Sequence, residues 1–204
     1  MSAWPIALGF ELLAQLKKIV PMLTMVSLAA CVATSSSDAV QEYLDPQTAA
    51  TVSVVGSPLV FARDRPEFAA NVRDYATLVA AAVNRSGKRS YVLIVYFWST
   101  VDTRGERGVE AHDRQPVLLA DDRRIALNKP LSSLHDAGIG FEHHRPPGVL
   151  TEPLAFPIDL GTMRFLSVSR RLRLLASAAP TEEPYELWKD ERASLAAFVD
   201  RMSH

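Results

Sequence analysis

One cysteine in 204 residues excludes any disulfide within the chain, and with it the zinc and redox motifs built on paired thiols. An excess of one charge is also lacking: 22 Lys and Arg stand against 23 Asp and Glu, a formal net charge of −1. So even a balance leaves no electrostatic footprint for nucleic acid or for an anionic membrane. The common nucleotide and hydrolase signatures are missing. There is no GxGxxG, and Gly87-Lys88 is followed by Arg89, without the upstream glycine or the Ser/Thr of a phosphate loop. Neither HExxH nor a GxSxG elbow occurs. No internal repeat is present. What remains is an ordinary globular composition, 48% hydrophobic and 22% charged, which excludes wholesale disorder and supports one domain with a real core.

The first thirty residues differ from the rest. Lys17 and Lys18 precede an apolar run, Ile19 to Ala30, of twelve residues. At about 1.5 Å per residue such a run reaches roughly 18 Å, short of a hydrocarbon core of about 30 Å. A basic patch, a short apolar segment and small residues at its exit are the layout of a secretory signal. Leu28-Ala29-Ala30-Cys31 at that exit resembles the lipobox of bacterial lipoproteins. The resemblance implies that Leu28, Ala29 and Ala30 are read by the signal peptidase. It also implies that the Cys31 thiol accepts a diacylglyceryl group and becomes the first residue after cleavage. The competing reading is a buried cysteine in an apolar helix. It does not account for the polar run Thr34 to Asp38 that follows, which has the character of a tether. The segment Trp4 to Phe10 is apolar and Glu11 lies ahead of the lysines, so the first fifteen residues suit a signal poorly. A start at Leu16, read as methionine, supplies a conventional Met-Lys-Lys opening. The expected organisation is a signal over 1–30, a lipidated tether over 31–42 and a single domain over 43–204. The second residue of the mature chain, Val32, is not the aspartate tied to inner-membrane retention in enterobacteria, so an outer-membrane anchor facing the periplasm is expected.

The strongest pattern of the domain is central. Ser90 to Thr100 is β-branched and aromatic on both faces, the signature of a covered central strand. It pairs in expectation with Tyr75–Val83 across the polar connection Asn84 to Arg89. A second hairpin is expected from Val117–Ala120 through Asp121 and Asp122 to Arg124–Leu127. Thr51–Val55 and Leu59–Ala62, around Gly56-Ser57-Pro58, read as a strand pair or one bulged strand. Pro66–Val72 reads as a short helix with proline in its first turn. Asp159 is a candidate N-cap for a helix over Leu160–Ser167. Arg171–Ala176 and Tyr185–Trp188 read as short strands. From Glu191 onward Ala193, Leu195, Ala196, Phe198, Val199 and Met202 recur at helical spacing. Asp102–Gln115 and Ser132–Pro153 read as loops. The sum is an α+β domain, a mainly antiparallel sheet with two or three helices.

Candidate chemistry is sparse. His112, His135, His143 and His144 fall in the expected loops, beside Asp113, Asp136 and Glu142. His112, His143 and His144 are the candidates for a metal site completed by a carboxylate, although adjacent His143 and His144 usually point apart and no known ligand spacing is matched. No metal or other cofactor is expected, the only covalent group being the lipid on Cys31. Asp121 and Asp122 suit a turn better than a catalytic pair. Ser99 and Thr100 have no identifiable base. Arg170, Arg171 and Arg173 form a basic cluster, read first as a solvated strand face. Trp98, Tyr96 and Tyr91 read as core.

Glu42 to Thr48, Phe61 to Pro66, and Asn84 to Arg89 followed by Tyr96 to Thr100 resemble uncharacterised proteobacterial lipoproteins, a likeness running through about half of the exported chain. That family has no established activity, so the resemblance implies membership without mechanism. The expected protein is a non-catalytic binding or scaffolding domain of the cell envelope, with an envelope protein as partner and no nucleic acid. A small-ligand or envelope-polymer binding module and a periplasmic metal-dependent hydrolase are the alternatives.

Overall fold

The computed structural model describes residues 39–69, 71–101, 115–127, 129–150, 152–177 and 184–204, with the side chains of 149 and 150 left aside. The expected signal and lipobox, Cys31 included, lie outside these residues. The sheet is organised on two long strands, β4 (Arg73–Arg85) and β5 (Lys88–Ser99), paired antiparallel from Asp74↔Ser99 to Arg85↔Lys88. Their sequences make this the centre: Val92–Phe97 is buried without interruption, as an apolar run covered on both faces must be. The turn is tighter than the polar connection Asn84–Arg89 suggests. Asn84, Arg85, Lys88 and Arg89 all join the ladder, leaving only Ser86 and Gly87, at φ 51° and 82°, to reverse the chain. Polar residues at a hairpin tip lie in water on either side of a ladder, so their polarity does not mark where the strands end.

β2 (Thr51–Val55) and β3 (Leu59–Asp64) lie end to end on the other side of β4. Val54 is opposite Ala81 and Leu59 opposite Leu78, so four residues, 55–58, face only Val79 and Ala80. This is the bulged-strand alternative. Because the excess is two, alternation survives: even-numbered residues of both segments lie on the face of Tyr75 and Val83, odd-numbered ones on the face of Leu78, which packs against the carboxy-terminal helix. The sheet divides at the bulge. β1 (Val40–Leu44) flanks β2, whereas β11 (Tyr185–Lys189), β10 (Leu172–Leu175), β6 (Val117–Ala120) and β7 (Arg123–Ala126) continue from β3. β8 (Val149–Leu150) and β9 (Leu154–Pro157) pair with β5. All pairs are antiparallel and the sheet curls into a half-barrel. The ladder begins at Val40, within the interval read as tether: Val40 is buried, while Gln41 and Glu42 are exposed, and a half-polar edge strand resembles linker in sequence.

Two helices are described, α1 (Leu160–Val168) and α2 (Arg192–Met202). Asp159 caps the first, its carboxylate accepting from the Thr162 amide at 2.7 Å and the Thr162 hydroxyl at 2.6 Å. Helix α2 buries Leu195, Phe198, Val199 and Met202, one stripe at helical spacing, and contacts β1, β2 and β4. Each such side chain contributes roughly 1.5–3 kcal/mol by leaving water. Arg89 closes the helix, its guanidinium donating to the Met202 carbonyl at 3.0 Å. The opposite face of β4, with Val83 and Tyr96 of the neighbouring strand, is covered by residues 131–148, of which Ala137 and Ile139 are buried.

The described residues of 66–72 form no helix. The segment is a pair of tight turns, with Phe68 N–H donating to Arg65 C=O and Val72 N–H to Ala69 C=O, both at 3.1 Å. Arg65 N–H meets Val72 C=O at 2.9 Å, closing the β3–β4 hairpin. A seven-residue helix advances about 10 Å and is incompatible with ends held in that register. Proline here starts a turn. The other expected elements fall within a residue or two of their expected positions, whereas β9 was not expected and the expected loop 132–153 contains the two-residue strand β8.

Candidate functional site

Strand register assembles one surface from residues far apart in sequence. Arg124 pairs with Leu119, Leu119 with Arg173, Arg173 with Glu186, Glu186 with Ala62, Ala62 with Tyr75 and Tyr75 with Trp98. Residues directly opposite in adjacent strands share a face, so these seven form a transverse row on the side of the sheet away from α2. The row has a basic end and an aromatic end.

At the basic end Arg124 and Arg173 are exposed, and Arg171, two residues before Arg173 on the same face, is exposed as well. Asp121, at φ 50° in the β6–β7 turn, accepts the Arg170 and Arg171 backbone amides at 3.0 and 2.9 Å and so fixes the chain that presents these arginines. Arg192 grips the same segment, donating to the carbonyls of Ser169 and Arg170. An open cleft of about 360 Å³ lies between Arg170, Arg171, Leu172, Arg173, Glu186 and Leu187. Among its described residues the carboxylate is Glu186, 3.8 Å from Arg173. Among the described residues the Arg170, Arg171 and Arg124 guanidiniums have no hydrogen-bond or ion-pair partner, whereas Arg63, Arg65, Arg73, Arg192 and Arg201 each face a carboxylate.

At the aromatic end the rings of Tyr75 and Trp98 stack with centroids 4.2 Å apart and planes 14° from parallel. The Trp98 Nε1–H donates to Thr77 Oγ1 at 3.0 Å, fixing the indole. Trp188 enters from β11 at a register break: Leu187 faces Phe61 and Lys189 faces Val60, leaving Trp188 unpaired between them. It stands 59% exposed, edge-on to Tyr75 at 6.4 Å. Arg73 lies 4.6 Å over its ring and is held there by Asp64 at 2.6 Å. Beneath this end Asp74, nearly fully buried, takes Arg65 at 2.5 Å and Arg63 at 3.4 Å, locking β3 to β4.

The histidines stand elsewhere. His143 is exposed against the ring of Tyr43 at 4.3 Å and Phe141 at 4.9 Å. His144 turns inward, with its Nε2 2.6 Å from the Val55 carbonyl, and burial holds its pKa below the ordinary value against the opposing pull of that bond. The two neighbours point apart. His112 and Asp113 lie outside the described residues, and among the described ones no group of three His, Cys, Asp or Glu converges. His135 is exposed. Ser99 is buried with its hydroxyl donating to the Arg73 carbonyl at 3.3 Å, and Asp121 serves its turn and the Arg170–Arg171 backbone. Tyr96 is core, its phenol pushed up by burial and by Glu142. Trp98 and Tyr91, expected in the core, are partly buried against it from opposite faces of the sheet: Trp98 lies in the row, and Tyr91 lies on the α2 face with its hydroxyl 3.5 Å from the Met202 carbonyl.

Sequence reasoning missed Trp188, Tyr75, Arg73 and Arg124. One signal was readable: in Tyr185-Glu186-Leu187-Trp188 the tryptophan falls in phase with glutamate on the polar side. No family model, curated protein or solved structure matches the chain.

Proposed function

We propose that the chain is a lipid-anchored lipoprotein of the bacterial envelope, at the outer membrane and facing the periplasm, whose sheet domain is a non-catalytic binding or scaffolding module. The observation that carries this reading is the order of the amino-terminal segments: Lys17-Lys18, a short apolar run, Leu28-Ala29-Ala30-Cys31 and a serine-rich stretch. Each buried acyl methylene contributes about 0.8 kcal/mol, so the two or three chains of a mature lipoprotein hold it on the membrane where one holds only marginally. The open row of arginines and aromatic rings supports a binding role, since Trp, Tyr and Arg dominate the energetics of recognition surfaces. The same row favours an envelope polymer as the bound species over a small ligand, because it is long and shallow. Metabolic labelling with a fatty-acid analogue tests the anchor: wild type takes up label and Cys31→Ala does not. Equal labelling of both overturns it.

A further inference from the structure

We propose that the transverse row binds an acidic glycan chain, with anionic groups on Arg124, Arg171 and Arg173 and sugar rings against Trp188 and the Tyr75–Trp98 pair. This deepens the binding role proposed above and rests on it. At the basic end three exposed guanidiniums share one face, where Glu186 is the carboxylate that the described residues place in the cleft, and two of them, Arg124 and Arg171, have no partner among the described residues. Guanidinium forks match carboxylate and phosphate oxygens in bidentate geometry, which a solvated ammonium does not. At the aromatic end an indole stands free of the ladder with an arginine over one side of its ring, and two further rings are held rigid beside it. Such rings offer apolar area to the C–H faces of a sugar at little entropic cost, since Thr77 and the stack already fix Trp98.

The two ends lie on one line. From β7 to β5 the row crosses six inter-strand steps of about 4.8 Å, or about 29 Å along the sheet, a path for an oligosaccharide of several residues. A peptide is the less suitable occupant. Along a sheet face the backbone amides are spent in the ladder, so a peptide laid across it leaves its own amides without main-chain partners; peptides use strand edges instead. Hydroxyls and acid groups need only the side chains that this face presents.

The test uses the full-length, detergent-extracted lipoprotein and isothermal titration with a galacturonic acid hexamer and a phosphomannan pentamer, against maltohexaose and polyglutamate. At least one acidic sugar is expected to bind, ten times or more tighter than maltohexaose and polyglutamate, and to weaken as salt is raised. Arg171→Ala with Arg173→Ala is expected to lower that affinity at least tenfold, and Arg171→Lys with Arg173→Lys to lose less. Trp188→Ala is expected to weaken it about fivefold or more, with Trp188→Phe recovering most of the loss and circular dichroism unchanged throughout. Failure of both acidic sugars overturns the proposal. So does polyglutamate binding as tightly, which makes the face a peptide site, or full affinity in Trp188→Ala, which leaves charge alone. Because binding is read in detergent and anchoring by lipid label, failure of one leaves the other standing.

Discussion

The Gly140 amide donates to Asp45 Oδ2 at 2.6 Å across 95 positions of sequence. The Phe141 amide donates to the same oxygen at 3.0 Å, and Gln47 and Thr48 fill Oδ1 at 2.9 and 3.1 Å. One fully buried carboxylate thus ties the β1–β2 turn to the segment that covers the sheet. Burial alone raises its pKa, and the four amides outweigh that and hold it below the ordinary value. Asp45→Ala leaves four donors facing a void and is expected to cost about 3 kcal/mol or more. Because the folded pKa is the lower one, this contribution is complete above the unfolded value of about 3.9 and disappears as pH falls through the folded one. Urea titrations of wild type and variant should therefore differ widely at pH 7 and converge in acid; a gap below about 1 kcal/mol at pH 7 contradicts this.

His144 should oppose folding in mild acid. Its folded pKa is depressed, first by burial, so the unfolded chain takes the proton first as pH drops below about 6.5. Wild-type stability is expected to fall through that window and level off below the folded pKa, while His144→Gln lacks the slope. A His144 titration followed by NMR with its midpoint at or above 6.5 would rule this out.

Two glycines with positive φ should respond differently to alanine. Gly87, at 82°, has open space around a prospective Cβ, so Gly87→Ala costs only the conformational term of about 1–2 kcal/mol. Gly148, at 96°, would bring a Cβ within 2.7 Å of the Ser99 carbonyl, where β5 meets β8. Displacing backbone adds about 1–3 kcal/mol, and thermal melts of the two variants should rank Gly148→Ala clearly lower. Equal melting points would show that this corner yields freely.

The α2 face is expected to be the most sensitive apolar site. Phe198 is fully buried, and Phe198→Ala should cost about 3–5 kcal/mol. Arg89→Ala removes one guanidinium bond to the last helical carbonyl and should cost about 1 kcal/mol. Denaturant midpoints in the reverse order would mean that the helix is held by its cap and not by its packing.

The local elements were legible because each carries its own period. The apolar run Val92–Phe97, the cap at Asp159 and the stripe Leu195–Met202 state strand, helix start and buried face within a dozen residues. Ambiguity arose where a local preference meets a distant demand. Pro66 suits a helix start, but the Asp64↔Arg73 pairing sets the chain's return and makes it a turn. Val40–Glu42 looks like linker until β2 supplies a partner.

The candidate surface was hardly legible. Arg171 and Arg173 were visible as a cluster, but Arg124 joins them only through two strand pairings, and Trp188 meets the Tyr75–Trp98 pair of the β4–β5 ladder only because β11 inserts beside β3 with a bulge. Sequence alone determined the composition, the single thiol and its setting after an apolar run, and the periods of the elements, since all of these are properties of neighbours along the chain. Tertiary structure decided which face each residue shares and with whom. Non-local register selects one pairing among many, and a shift of a single residue turns every side chain of a strand to the other side.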